Sequence, residues 1–228
     1  MHSRRTSPLR GSLRAGCVML LGALPALACA DIAVTVLDAD GAPVGDVAVY
    51  AVPRTTAATG SAGPAAAVMD QADSAFVPHL LVVEAGTYIE FPNNDTVSHH
   101  VYSFSDAKRF ELPLYKGNLH PPLRFDTPGV VVLGCNIHDG MLGYILVVDT
   151  PWFTVTNAAG EARLPALPDG DYAVHVWTPR ARAGDLPRPR QTNVSDGSAR
   201  ELRFRFEGKL MPAHEDRHGR STLTWDRY

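Results

Sequence analysis

The chain has 228 residues, of which 45% are hydrophobic and 20% charged, with 21 Lys and Arg set against 24 Asp and Glu. An acidic balance of this kind excludes nucleic acid and acidic membrane surfaces as natural partners, since both require a basic face. With only three cysteines, no disulfide framework can organise the fold.

The first 30 residues read as an export signal. Arg4, Arg5, Arg10 and Arg14 precede the apolar run AGCVMLLGALPALA, and Ala28-Cys29-Ala30 supplies the small residues of a cleavage site. The run is too short to span a bilayer and contains Pro25, so no stable membrane span is expected. Arg4-Arg5 leaves the twin-arginine route open, although Ser7 and Pro8 stand where that signal has apolar residues. Cys29 leaves a lipid anchor open, although Ala26 stands where Leu is usual. Cleavage after Ala30 delivers roughly 198 residues to the periplasm, enough for one or two domains, with 17 basic against 24 acidic side chains.

Residues 31–65 begin with IAVTVLDADGAPVGDVAVYAV, whose alternation about a DADG turn predicts a hairpin. The Ala/Thr/Gly/Ser/Pro stretch that follows, RTTAATGSAGPAAA, reads as a linker.

Residues 66–150 carry the chemistry. In GVVVLGCNIHDGM the spacing Cys135-x-x-His138-x-x-Met141 places a thiolate, an imidazole and a thioether in one tight turn, a donor set that suits copper. A fourth ligand is expected upstream, at one of the adjacent His99 and His100. Cys135 falls in strand register with Leu133 and Val131, so its sulfur should face the interior. After cleavage Cys135 has no disulfide partner, and a lone thiol in an oxidising compartment calls for burial or a metal. Met141 is either a weak axial ligand or an apolar plug beneath the loop. From Asp70 to Thr150 there are ten acidic and four basic residues. Their excess favours a basic partner protein, or serves only solubility. His79 and His120 stand beside prolines and are read as surface residues.

In residues 151–207, FTVTNAAGEARLPALPDGDYAVHVW predicts further strands, with Tyr172, Val174 and Val176 on one face and His175 and Trp177 on the other. ARAGDLPRPRQ is a Pro-punctuated loop, and ARELRFRFEG a final strand. The tail, residues 208–228, is polar; Trp225 and Tyr228 are candidates to dock on the sandwich, and His214 and His218 are read as solvated.

The middle segment resembles the cupredoxins, amicyanins most closely. FVPHLLVVEAGT and PNNDTVSHHV match the strand, Gly-Thr and Asn-containing turn that lead to the first His ligand, while FDTPGVVVLGCNIHDGM and LGYILVVD match the ligand loop and last strand. Two-residue gaps on both sides of His138 fit the short amicyanin loop. The chain is also similar to cupredoxin-containing proteins labelled methylamine utilization proteins. The resemblance implies an all-β Greek-key sandwich with one type 1 copper site, held by His99, Cys135, His138 and Met141. His100 takes a position where the family has Asn; with Asn136 it could tie the ligand loop by hydrogen bonds, or could itself be a ligand.

An electron carrier rather than an enzyme is implied. Multicopper oxidases and nitrite reductases need His-x-His clusters, which the exported chain lacks, and a binuclear copper site needs two cysteines. The implied partner is a redox protein, such as a basic c-type cytochrome or a dehydrogenase. The alternative is a copper-delivery or partner-binding module, against which stands the scarcity of Met: only Met69, Met141 and Met211 follow the signal. The flanking pieces VLDADGAPV and TNAAGEARLPALPDGDY together resemble a carboxypeptidase regulatory-like or transthyretin-like β-sandwich, which implies that the cupredoxin is inserted into that second sandwich.

Overall fold

The computed structural model describes residues 29–55, 65–195 and 200–213. Most of the expected signal, most of the linker, and the tail with His214, His218, Trp225 and Tyr228 lie outside the described residues. Strands β1 (Cys29–Leu37) and β2 (Ala48–Pro53) come first. Then follow β3 (Ala66–Val68), β4 (Asp70–Ala72), β5 (Ala75–Val77), β6 (Leu80–Glu84), β7 (Thr87–Glu90), β8 (His99–Ser105), β9 (Lys108–Tyr115), β10 (Leu123–Phe125), β11 (Gly129–Cys135) and β12 (Leu142–Val148). The described chain closes with β13 (Phe153–Val155), β14 (Glu161–Pro168), β15 (Gly170–Trp177), β16 (Arg190–Val194) and β17 (Arg200–Arg205). One 3-10 turn at Ala183–Asp185 interrupts the β structure. No helix among the described residues is long and apolar enough to cross a membrane.

The pairing is discontinuous in sequence. β1 lies between β14 and β17, and β2 between β13 and β15, with β16 on the outer edge. Both N-terminal strands therefore find their partners after residue 152. Ile32, Val34 and Val36 of β1 meet Val49 and Ala51 of β2 across a core completed by Leu164, Val174, Phe204 and Phe206. The residues between form a second sandwich. Its five-stranded sheet β6-β12-β11-β8-β9 packs against β10-β7-β3 and the β4-β5 hairpin over Phe76, Ile89, Phe125, Leu133 and Ile145. The chain is thus all-β, with one sandwich inserted into another.

The hairpin expected for β1 and β2 is not formed. Only a bridge between Leu37 and Pro43 closes there, around Asp38, whose Oδ1 accepts the N–H groups of Asp40 at 2.9 Å and Ala42 at 2.8 Å. The chain then crosses to the facing sheet through Asp46, at φ 58°. Alternation showed correctly that each strand has one buried face; two such strands can cover one core from opposite sheets as well as from within one.

A third cluster joins the sandwiches. Ala48 is buried with Leu80, Val82, Leu146 and Val148, and Tyr50, Tyr144, Phe153 and Trp177 pack around them. Tyr172, Val174 and Val176 face the outer core as expected. His175 and Trp177, on the opposite face, are half-buried at the seam, where His175 stacks on Tyr50 at 5.0 Å and Trp177 meets Tyr144 at 6.2 Å.

Candidate metal centre

Two adjacent strands and one loop build the site. β8 alternates strictly: His99, Val101 and Ser103 are buried, while His100 and Tyr102 are only partly so. β11 presents Val131, Leu133 and Cys135 to the same core. Cys135 is the backbone partner of Val101, which makes His99 its diagonal neighbour on the inward face. That register brings His99 Nδ1 to 3.7 Å from Cys135 Sγ.

The loop after Cys135 supplies the third donor. Asn136 N–H donates to His100 C=O at 3.2 Å and Met141 N–H to His138 C=O at 3.2 Å, with Gly140 turning the chain at φ 85°. The turn carries His138 Nδ1 to 3.5 Å from Cys135 Sγ and 3.0 Å from His99 Nδ1. No other three His, Cys, Asp or Glu side chains converge this way among the described residues. The point equidistant from the three atoms lies about 2.0 Å from each, close to ordinary metal–nitrogen and metal–sulfur bonds of about 2.0–2.3 Å. The donors therefore fit a transition-metal ion without rearrangement.

Met141 is 3% exposed and belongs to the apolar cluster that contains Cys135. On the solvent side Ile137 and Leu142 are exposed, as are Asn136 and Asp139, and His138 is half-buried. His79, half-buried, places Nδ1 3.2 Å from Leu142 C=O, and His120 packs edge-on to Tyr115 at 4.6 Å. Neither belongs to the donor group.

The side chains of His100 and Asn136 do not form the expected tie. His100 points away from the donors, its Nε2 2.9 Å from Glu111 Oε1 on β9, outside hydrogen-bond alignment. Asn136 is exposed. The two residues are joined by their backbones instead. Period-two alternation requires that when His99 faces in, His100 faces out.

The residues that sequence reading missed stand behind His99. Its Nε2 lies 2.9 Å from Asp95 Oδ2. That oxygen also accepts the Ser74 N–H at 2.7 Å, and Oδ1 accepts the Thr96 N–H at 2.5 Å. Burial pushes the Asp95 carboxyl upward, but the Ser74, His99 and Thr96 hydrogen bonds outweigh it and hold the group down to about 2. Asn93 braces the turn by donating to Val97 C=O and Tyr115 C=O, at 3.0 and 2.9 Å. Tyr115, the backbone partner of His99, donates its hydroxyl to Phe91 C=O at 2.7 Å; burial pushes that phenol up to about 12. The available signal was an Asp four residues before a candidate ligand, within a turn-forming run.

No protein-family model matches this chain, and no curated protein does. Among solved structures it is similar to a purple cupredoxin from Nitrosopumilus maritimus, at 21% identity over 37% of this chain and 99% of that one, with TM-score 0.32. It is similar to a reduced Cu(I) form of an amicyanin variant, at 21% identity over 43% of this chain and 99% of that one, with TM-score 0.33. It is also similar to a copper-containing nitrite reductase from Thermus scotoductus, at 22% identity over 42% of this chain and 25% of that one, with TM-score 0.34.

Proposed function

We propose that this chain is a periplasmic type 1 copper protein that carries electrons and performs no substrate chemistry of its own. The observation that carries the reading is the convergence of one buried cysteine sulfur and two imidazole Nδ1 atoms within 3.7 Å of one another. A His2Cys set with a nearby Met is the donor combination of electron-transfer copper sites. Copper bound there supplies a one-electron cycle between Cu(II) and Cu(I). His99, Cys135, His138 and Met141 are the proposed ligands.

The protein's part is to keep these side chains still. Cys135 ends a strand paired with both neighbours, His99 is clamped from behind by Asp95, and backbone hydrogen bonds hold the loop at Asn136 and Met141. Such restraint keeps reorganisation small when the charge of the site changes. Val101, Leu133 and Met141 exclude water from the inner side, whereas copper delivery would favour an accessible, labile site. The exposed apolar side chains of Ile137 and Leu142, in and just after the His138 loop, favour close approach of a partner. Ten acidic against four basic residues from Asp70 to Thr150 favour a basic one, such as a c-type cytochrome or a dehydrogenase. Export rests on the N-terminal signal pattern.

The visible spectrum of the copper-loaded protein tests the reading. An intense Cu(II)–thiolate band is expected from one bound copper, lost in Cys135→Ala and His99→Ala and kept in His100→Ala. A band that survives Cys135→Ala would sink the assignment of the site.

A further inference from the structure

His99 has two ring nitrogens, and they face different things. Nδ1 points at Cys135 and His138, while Nε2 points at Asp95 Oδ2, 2.9 Å away. The carboxylate has little freedom to move. Ser74 and Thr96 hold its two oxygens through backbone N–H groups at 2.7 and 2.5 Å, and its own N–H is held by Asn93 Oδ1 at 3.0 Å. Ser74 sits with Asp73 in the tight β4-β5 turn, both at positive φ, 58° and 52°. Sequence elements 21 residues apart thus aim one anion at the back of one imidazole. A carboxylate accepts and cannot donate, so a hydrogen bond here requires the proton on Nε2 and leaves the Nδ1 lone pair free for the site.

We propose that Asp95 is the positioning residue of the metal centre: it locks His99 in the Nε2–H form and places a fixed negative charge behind that imidazole, so that the site favours the more highly charged, oxidised ion. This rests on the copper reading above. Carboxylates behind ligating histidines raise ligand basicity, and removing them lowers metal affinity by about 10–100-fold.

Two measurements test this. In the copper-free wild-type protein at pH 8, 15N NMR of His99 should show a protonated Nε2 and an unprotonated Nδ1; a protonated Nδ1 overturns the proposal whether or not copper binds. In Asp95→Asn, which keeps the shape and removes the charge, Cu(II) affinity should fall at least tenfold more than Cu(I) affinity, a rise of about 59 mV in potential for one electron. The thiolate band should persist, because all four proposed ligands remain. An unchanged potential in a folded Asp95→Asn protein that keeps the band refutes the role of Asp95 and leaves the copper site standing. Absence of the band in the wild type would refute the copper reading and not the tautomer lock, which the NMR measurement reads independently. A merely structural role would lower unfolding stability without moving either the tautomer or the potential.

Discussion

Asp46 should make this protein less stable as the pH rises from about 4 to about 6. It stands where the chain crosses from β1 to β2, at φ 58°, with its N–H donating to Thr156 C=O at 3.2 Å. Its half-buried side chain lines a groove of about 450 Å³ at the seam, with Val77, Leu80, Phe153 and Val155. Burial pushes the carboxyl up from 3.8 to about 6, and the nearby Arg180 charge recovers only part of that. Unfolded, the group loses its proton near 3.8; folded, it holds the proton until about 6. Between those values the folded state binds more protons, so stability falls with pH across that window and stays at the lower level above it. The difference between 3.8 and about 6, at about 1.4 kcal/mol per pH unit, gives an upper bound near 3 kcal/mol. Solvent at the half-exposed carboxyl screens this to about 1–2 kcal/mol. Asp46→Asn keeps the shape and the tolerance of positive φ, so it should be about 1–2 kcal/mol more stable than the wild type at pH 7 and nearly equal to it at pH 4. Urea unfolding of both copper-free, reduced proteins at several pH values reads the difference, in which other titrating groups cancel. An Asn variant no more stable at pH 7, relative to wild type, than at pH 4 would refute the argument.

Gly160 turns the chain before β14 at φ 71°, and a Cβ there would lie 2.5 Å from Val36 C=O and 2.9 Å from Val44 N. Gly160→Ala should therefore lower stability by more than about 2 kcal/mol, from the left-handed conformation and the backbone overlap together, visible as a drop of several degrees in thermal midpoint. A fragment of residues 31–150 should be less soluble and less cooperative than one of residues 66–150. The longer piece exposes the whole outer core of β1 and β2, the shorter only the seam around Leu80, Val82, Leu146 and Val148; the reverse order by sedimentation and urea melts would contradict the insertion. Electron transfer to a basic cytochrome should slow as salt rises, because screening over a Debye length of about 8 Å at physiological ionic strength removes the attraction of the acidic middle segment. A flat or rising stopped-flow dependence would show that these charges serve only solubility.

The donor group of the candidate site was legible in the residues because ligand type and loop spacing are local. Cys135, His138 and Met141 share one turn, and the inward face of β11 follows from the period of a strand. The split outer sandwich was implied by the resemblance of the DADG and PDGDY patterns to a regulatory-like module, and the pairing of β1 with β14 and β17 and of β2 with β13 and β15 agrees with it. What the sequence left undecided depended on pairing between distant segments. His99 and His100 are chemically identical neighbours, and only the register that sets Cys135 opposite Val101 and His99 opposite Tyr115 turns one inward and the other toward Glu111. The separation of β1 from β2 was hidden for the same reason, because alternation reports that a strand has a buried face and not which sheet holds it. Asp95 lay in plain view four residues before His99, yet its role required the Ser74 turn, 21 residues earlier in sequence, to fix its carboxylate. Side-chain chemistry and strand period are properties of a few consecutive residues; which donor meets which acceptor is decided by hydrogen-bonded register and packing across the whole chain.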